Sequence, residues 1–443
     1  MLSIRHKHHV LSFINFGMYL FLISLLIACS PITPPVTRKA TPTQGTVAPT
    51  RRFVTPISAT TTVTMPPTQT DCPPAETARA ILTAPLATGN HQTIVYTLNQ
   101  GSYDTPSQGK LVRYDVQTGH TSELIHVAQA HIYEAQVSAD GEWTLFVSTT
   151  GSVGRQTKLQ LLRMDGQGLQ TLYCAAGYGI QQMQWSADQH YLVFYNVVNE
   201  QGVIYLLDMN SGRLKTELTT PPQVGLILRT WLDATHIYLS DTAVDTLYAR
   251  VYLLDINKKA RQHLSDLLIV IQQDYGDFDS SDDGTSLFIT NGNCRQGTCD
   301  GPSHIVTQAI SGGKQHTLYS SPVYDVVEVR VIDHNSLIFI VGNTLGATDT
   351  SHNGLWKMQV DGSGLTRLIA TSSQQYSYLN YSSQEPWSNI SRDASMYVLQ
   401  VNGFQGIVQT DSLVVGSLHG GTPRAFTSIS DGSQLAMVGW TVL

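Results

Sequence analysis

The chain has 443 residues, 26 Lys+Arg against 33 Asp+Glu and a net charge of −7, with only 13% charged residues and 42% hydrophobic ones. That apolar share excludes a wholly disordered chain and leaves room for one large core or two to three ordinary domains. Residues 1–72 hold six of the basic groups and one acid, so the remainder has 20 basic against 32 acidic groups, a balance that argues against nucleic acid, whose binding draws mainly on neutralising phosphates. With 35 Gly, 20 Tyr and abundant Ser and Thr, the composition points to an extracellular-style all-β protein.

Arg5, Lys7 and three His precede an almost wholly apolar stretch over residues 10–28, the n-region and h-region of a secretory signal peptide spanning 1–28. A transmembrane anchor is the competing reading, since a span needs ~20 apolar residues. The stretch ends in Leu26-Ile27-Ala28-Cys29, which resembles the lipobox of bacterial lipoproteins. By that resemblance Cys29 becomes the lipidated first residue of the mature chain and holds it to the extracytoplasmic face of the cell membrane. Residues 29–71 then read as a disordered linker. Between Pro31 and Thr70 there are 13 Thr, 8 Pro and no acid, too little apolar surface to offset the entropy of ordering. In polyproline geometry, at ~3.1 Å per residue, such a spacer reaches at most ~120 Å.

With Cys29 assigned to lipid, Cys72, Cys174, Cys294 and Cys299 remain, and four cysteines allow three pairings. Cys294 and Cys299 bracket a short Gly-containing loop, where a local disulfide would stiffen a hairpin tip. Cys72 and Cys174 would then tie the start of the folded domain, residues 72–443, to its body. The Cys-x4-Cys spacing also fits half of a zinc knuckle, but no second ligand pair stands at comparable spacing. No metal and no cofactor is expected.

From there on the chain repeats. A turn followed by an apolar strand recurs as Val137-Ser-Ala-Asp140-Gly141 before Trp143-Thr-Leu-Phe-Val, and as Trp185-Ser-Ala-Asp188 before Tyr191-Leu-Val-Phe. Further copies centre on Asp233, Asp283, Asp333, Asp393 and Asp431. Successive aspartates are 48, 45, 50, 50, 60 and 38 positions apart. A second signature interleaves, a strand running into a tight Gly turn, as in Leu111-Val-Arg-Tyr-Asp-Val-Gln-Thr-Gly119 and Leu355-Trp-Lys-Met-Gln-Val-Asp-Gly362. Each unit is thus four short strands, a to d, with an Asp turn between a and b and a Gly turn between c and d, because these residues tolerate tight-turn backbone angles. Four-stranded units at this period predict a β-propeller. Seven blades are favoured, with the hairpin around Asp431 completing the blade begun near residue 110 and one strand left over; eight blades, one incomplete, is the alternative.

The repeat, an aromatic or aliphatic residue before Ser-x-Asp-Gly and an apolar strand, resembles the TolB-like, WD-repeat-like propellers and is similar to the N-terminal propeller of dipeptidyl peptidase IV enzymes. It is matched best around Asp140 and Asp188 and loses its Ser and Gly around Asp233 and Asp333. The resemblance implies a fold, and by analogy a place near envelope complexes; it does not imply an activity.

The seven repeated aspartates are expected to be structural, each capping its own turn. The acidic run from Asp274 reads Asp279-x-Ser-x-Asp283-Gly284, which begins like a calcium loop but has Thr290 where the bidentate Glu belongs. No G-x-S-x-G and no H-E-x-x-H occurs, and the twelve His after the signal region show no metal-ligand spacing. The a–b and c–d turns are short and share one face. The b–c and d–a connections, at 99–109, 148–157, 291–303, 341–354 and 371–386, are long and irregular and share the other, where binding would concentrate. The most aromatic of them carries Tyr376, Tyr378, Tyr381 and Trp387, the candidate binding residues. The reading is a non-catalytic binding or scaffold module for a protein partner or an envelope glycan, with no nucleic acid. The alternative is a glycan-active hydrolase or lyase with its site on the long-loop face.

Overall fold

Second strands of the repeat are buried along most of their length, and Trp143–Thr150 is buried at every residue but its last. A strand buried on both faces needs a sheet packed against each side of its own. The fourth strands differ: Thr121–Ala128 exposes alternate residues, as a rim strand does. Blades stacked face to face in a ring satisfy both patterns.

The computed structural model describes Thr68, 71–74, 80–82, Leu86 and 89–443, apart from 103–104, 152–154, 178, 223, 242–249, 273–274, 292–293, 296–297, 300–301, 322–324, 343–349, 373–374, 381–384 and 406–407. It is a seven-bladed β-propeller of four-stranded antiparallel sheets. The innermost strands of blades 2 to 7 are Ala130–Val137, Ile180–Trp185, Leu226–Trp231, Phe278–Ser280, Asp325–Asp333 and Gln375–Tyr378. That of blade 1 comes from the other end of the chain: Gln434–Val442 pairs antiparallel with Gln92–Gly101 and closes the ring.

Two expectations are corrected by this closure. No strand is left over, because Gln92–Gly101 is the second strand of blade 1 and the C-terminal strand its first. Asp431 lies in the connection from the rim strand of blade 7, Arg424–Ile429, to that closing strand, so it is not an a–b turn residue like the other six. All five expected loops include strand residues. Residues 99–109 are mostly hairpin, and 371–386 contains the innermost strand of blade 7 ahead of a short helix, Pro386–Asn389.

A feature not legible in the sequence recurs in all seven blades. The pairing of third with fourth strand shifts register once, between Leu111 and Val112 in blade 1 and at the corresponding place in each other blade. Such a bulge steepens the local twist and turns the rim strand away from its neighbours. Between blades the core is continuous. Trp143, Leu145 and Val147 of blade 2 pack with Met183, Trp185, Leu192 and Phe194 of blade 3, all fully or almost fully buried. Burying each such side chain contributes about 1.5–3 kcal/mol.

The N-terminal segment is strapped to blades 2 and 3. Cys72 is bonded to Cys174 on the rim strand Gln170–Ala176, with Cα atoms 5.7 Å apart. Ala80 donates its N–H to Met209 O at 2.8 Å and Ile81 its N–H to Gln170 Oε1 at 2.7 Å. Ala80 and Leu82 rest on the core between the two blades. Cys294 and Cys299 face each other across a two-residue ribbon, Cys294–Arg295 with Thr298–Cys299; their side chains lie outside the described residues, as do Cys29, the signal segment and nearly all of the linker.

Candidate functional site

The a–b turns show why Ser-x-Asp repeats. In blade 2 the Ser138 hydroxyl donates to Asp140 Oδ1 at 2.5 Å and accepts from Trp143 N at 3.0 Å, while Asp140 Oδ1 accepts from Glu142 N at 2.9 Å. The same network forms at Ser186 and Asp188, Ser281 and Asp283, and Ser391 and Asp393. Without the Ser, Asp233 accepts instead from Thr235 N and His236 N, and Asp333 from Asn335 N. Asp431 accepts from Ser433 N in its own, different connection. The Ser281 hydroxyl, outweighing burial, holds Asp283 below the usual carboxylate range. Burial pulls the Asp233 carboxyl up, but hydrogen bonds from His236 and Thr235 outweigh it and set it at about 2.

The inner strands show a different use of polar groups. Among the described residues their inner edges form no backbone ladder with the next blade, and side chains reach across to the next blade's backbone instead. Gln136 Oε1 accepts from Trp185 N at 2.8 Å, and Gln182 Oε1 from Leu228 N at 2.6 Å. Asp279 Oδ2 accepts from Val331 N at 2.8 Å, and Glu328 Oε2 from Leu379 N at 2.6 Å. Asn380 Nδ2 donates to Val438 O at 3.0 Å and joins blade 7 to the closing strand.

Charge concentrates where blades 4, 5 and 6 meet. Arg229, Asp277 and Arg330 are each at most 6% exposed. Asp277 pairs with Arg330, lies 3.6 Å from Arg229 and accepts from Val329 N at 3.3 Å. Arg229 also donates to Ser240 Oγ at 3.1 Å and stands 5.7 Å over the Phe278 ring. Burial opposes the charge on Arg330, and Asp277, Glu328 and Asp279 overcome that opposition. Burial pushes the partly buried Glu328 up to about 7, with Asp277 adding to the rise and Arg330 working against it. A carboxyl titrating near 7 beside an ion pair has the chemistry of an acid–base group.

The candidate aromatic residues do not assemble. Trp387 is 5% exposed; its indole donates to Val137 O at 2.8 Å, and the Arg392 guanidinium sits 4.7 Å over its ring. It therefore joins the end of the ring to blade 2 and is not a binding surface, because the ring closure buries it. Tyr378 is exposed on the innermost strand of blade 7, not on a d–a loop. Tyr376 is on the same strand with its side chain outside the described residues, and Tyr381 is outside them altogether. Asp279, the start of the calcium-like run, commits its oxygens to Ser280 N and Val331 N. Among the described residues no group of His, Cys, Asp and Glu is arranged to hold a metal ion.

On the turn face, a cleft of about 260 Å³ between blades 5 and 6 is lined by Asp282, Asp283, Asp333, His334 and Phe288, with His334 Nδ1 3.3 Å from Asp282. Sequence reasoning missed the Arg229–Asp277–Arg330–Glu328 group. Its one local signal was a charged residue inside an apolar strand, as in Val329-Arg330-Val331.

No family model and no curated protein sequence matches the chain. Solved structures do. The propeller domain of the Trilobed protease from Pyrococcus furiosus is 12% identical, with 80% of this chain and 96% of that one covered at a TM-score of 0.51. The likeness is one of fold. Oligopeptidase B from Leishmania major is 11% identical at a TM-score of 0.50, over 77% of this chain and 49% of its own, so this chain spans about half of that enzyme. TolB from Acinetobacter baumannii is 13% identical at a TM-score of 0.42, over 61% of this chain and 62% of its own. The Pyrococcus propeller is described as having an open velcro topology, whereas here the closing strand is hydrogen-bonded to blade 1.

Proposed function

We propose that the protein is an extracytoplasmic lipoprotein, anchored through Cys29, whose propeller is a non-catalytic binding or scaffold module for a protein partner or an envelope glycan. The observation that carries the non-catalytic part is the use of the inner-strand side chains. Gln136, Gln182, Asp277, Asp279 and Glu328 each accept a backbone N–H of the following blade, so these inner polar groups hold the ring together. The anchoring part rests on the Leu26-Ile27-Ala28-Cys29 motif and the Thr/Pro-rich spacer after it.

Capture from native membranes with the full chain, followed by mass spectrometry and glycan analysis, tests the binding reading. One stoichiometric protein, or retained envelope glycan, is the expected result; recovery of neither sinks it. For the anchor, metabolic labelling with an alkyne fatty acid should mark the wild type and not Cys29→Ala, and a labelled Cys29→Ala chain would refute lipidation at that residue. The elevated Glu328 carboxyl beside Asp277 favours a second reading, a glycan-active hydrolase or lyase. Under that reading Glu328→Gln abolishes turnover of envelope glycan; under the first there is no turnover to abolish.

A further inference from the structure

On the turn face between blades 3 and 4 lies a cleft of about 350 Å³ whose walls carry Arg213 and Lys215 on one side and Lys258 and Lys259 on the other. In a chain of net charge −7, the exposed Arg213, Lys258 and Lys259 outnumber Asp208, the carboxylate on the cleft's lining. Lys215 is fixed: its ammonium sits 2.9 Å from the fully buried Glu217 and donates to Lys258 O at 2.7 Å, tying one wall to the other.

Besides Glu217, two nearby carboxylates hydrogen-bond their own turns. Asp208, which lines the cleft, accepts from Asn210 N and Ser211 N, both at 3.0 Å, and Asp255 accepts from Asn257 N at 2.9 Å. The cleft is not purely ionic, because Tyr191 lines it, held parallel to the His190 ring at 4.2 Å, together with Leu206 and Ile256. An aromatic face takes the apolar side of a sugar ring, lysines take phosphate as point charges, and arginine takes it through its planar fork.

We propose that this cleft binds a phosphorylated sugar as the repeating unit of an anionic envelope glycan. The proposal deepens the binding reading above and rests on it for where the glycan is met. Cations on two walls with a tyrosine in the lining suit a sugar with a phosphate on either side better than they suit a lone phosphate.

Calorimetry on the detergent-solubilised full chain at low salt tests it, with phosphomannan, neutral mannan, mannose 6-phosphate and inorganic phosphate as probes. Phosphomannan should bind and mannan should not, and added salt should weaken the binding. Lys258→Glu with Lys259→Glu should lower the affinity at least about tenfold, as lost charge-assisted contacts do. Arg213→Glu on the opposite wall should do the same and serves if the double variant melts early. Mannose 6-phosphate binding as tightly as a polymer unit would make the free sugar phosphate the source, with the same chemistry. Absent phosphomannan binding, unchanged affinity in the variants, or inorganic phosphate competing as well as mannose 6-phosphate would overturn the assignment. If calorimetry fails while the chain still captures its native partner, the binding module stands and only the cleft is removed.

Discussion

Single residues carry the repeat through the turn between first and second strands. Its fourth position needs a left-handed backbone, which Gly141 and Gly284 adopt at φ +79° and +65°. Blade 7 places Ala394 there at +54°. An L side chain in that region costs about 1–2 kcal/mol, against about 0.5–1 kcal/mol for the extra unfolded freedom of glycine. Ala394→Gly should therefore gain about 0.5 kcal/mol, seen as a higher urea midpoint at unchanged slope. Glu328 makes the opposite kind of statement. Its folded value of about 7 stands above the ordinary 4.5, so ionising it in the folded protein is unfavourable. Its contribution to stability is full below pH 4.5 and declines as pH rises toward 7. Glu328→Gln keeps an acceptor for Leu379 N and removes the ionisation, so melting curves should show it nearly neutral at pH 4 and stabilising at pH 8. A variant destabilised more at pH 8 than at pH 4 would show that the attraction of the carboxylate to Arg330 outweighs its burial. The Ser-x-Asp network was legible because its partners lie within five residues of each other. The Arg229–Asp277–Arg330–Glu328 group was not, since its members come from three blades.

Among elements, the strap of residues 71–74 and 80–82 depends on one covalent bond. The Cys72–Cys174 link closes a loop with a sequence separation of 102, and a disulfide closing a long loop typically contributes 2–4 kcal/mol by restricting the unfolded chain. Cys174→Ser should lower the stability by about that amount in denaturant titration, and limited proteolysis should then cut near Ala80. A strap that stays protected would show that the hydrogen bonds of Ala80 and Ile81 hold it alone. Strand positions within blades were largely readable from the alternation of turn and apolar run. The recurring bulge between third and fourth strands was not, because it answers to the twist needed where a rim strand leaves the packed stack. The connection at 371–386 misled for a related reason. A four-residue inner strand with Tyr at alternate positions gives too short a period to separate strand from loop, and only its pairing with Met396–Gln405 defines it.

The whole molecule depends on its closing strand. Leu435, Met437, Val438 and Trp440 are all buried at 5% exposure or less, and their strand covers the inner edge of Gln92–Gly101. Around the same junction Arg392 donates to Trp440 O at 2.8 Å and to Ser138 O at 2.7 Å, so blade 7, the closing strand and blade 2 are joined by one guanidinium. Ending the chain at Ser433 should abolish the cooperative thermal transition and expose dye-binding apolar surface, and adding the 434–443 peptide should restore part of it. A sharp transition in the truncated chain would mean that six complete blades stand without closure.

The repeat and its four-strand unit could be taken from the amino-acid order, with seven blades favoured over eight, because turn chemistry and strand burial are local and recur with one period. Where the ring closes, which residue of the aromatic segment is buried, and which charged groups meet could not. Each depends on contacts between residues tens to hundreds of positions apart: Trp387 with Val137, Gln92 with Val442, Asp277 with Arg330. Nothing in the local sequence distinguishes a tryptophan that will be covered by a distant strand from one left in solvent, and ring closure alone made that choice.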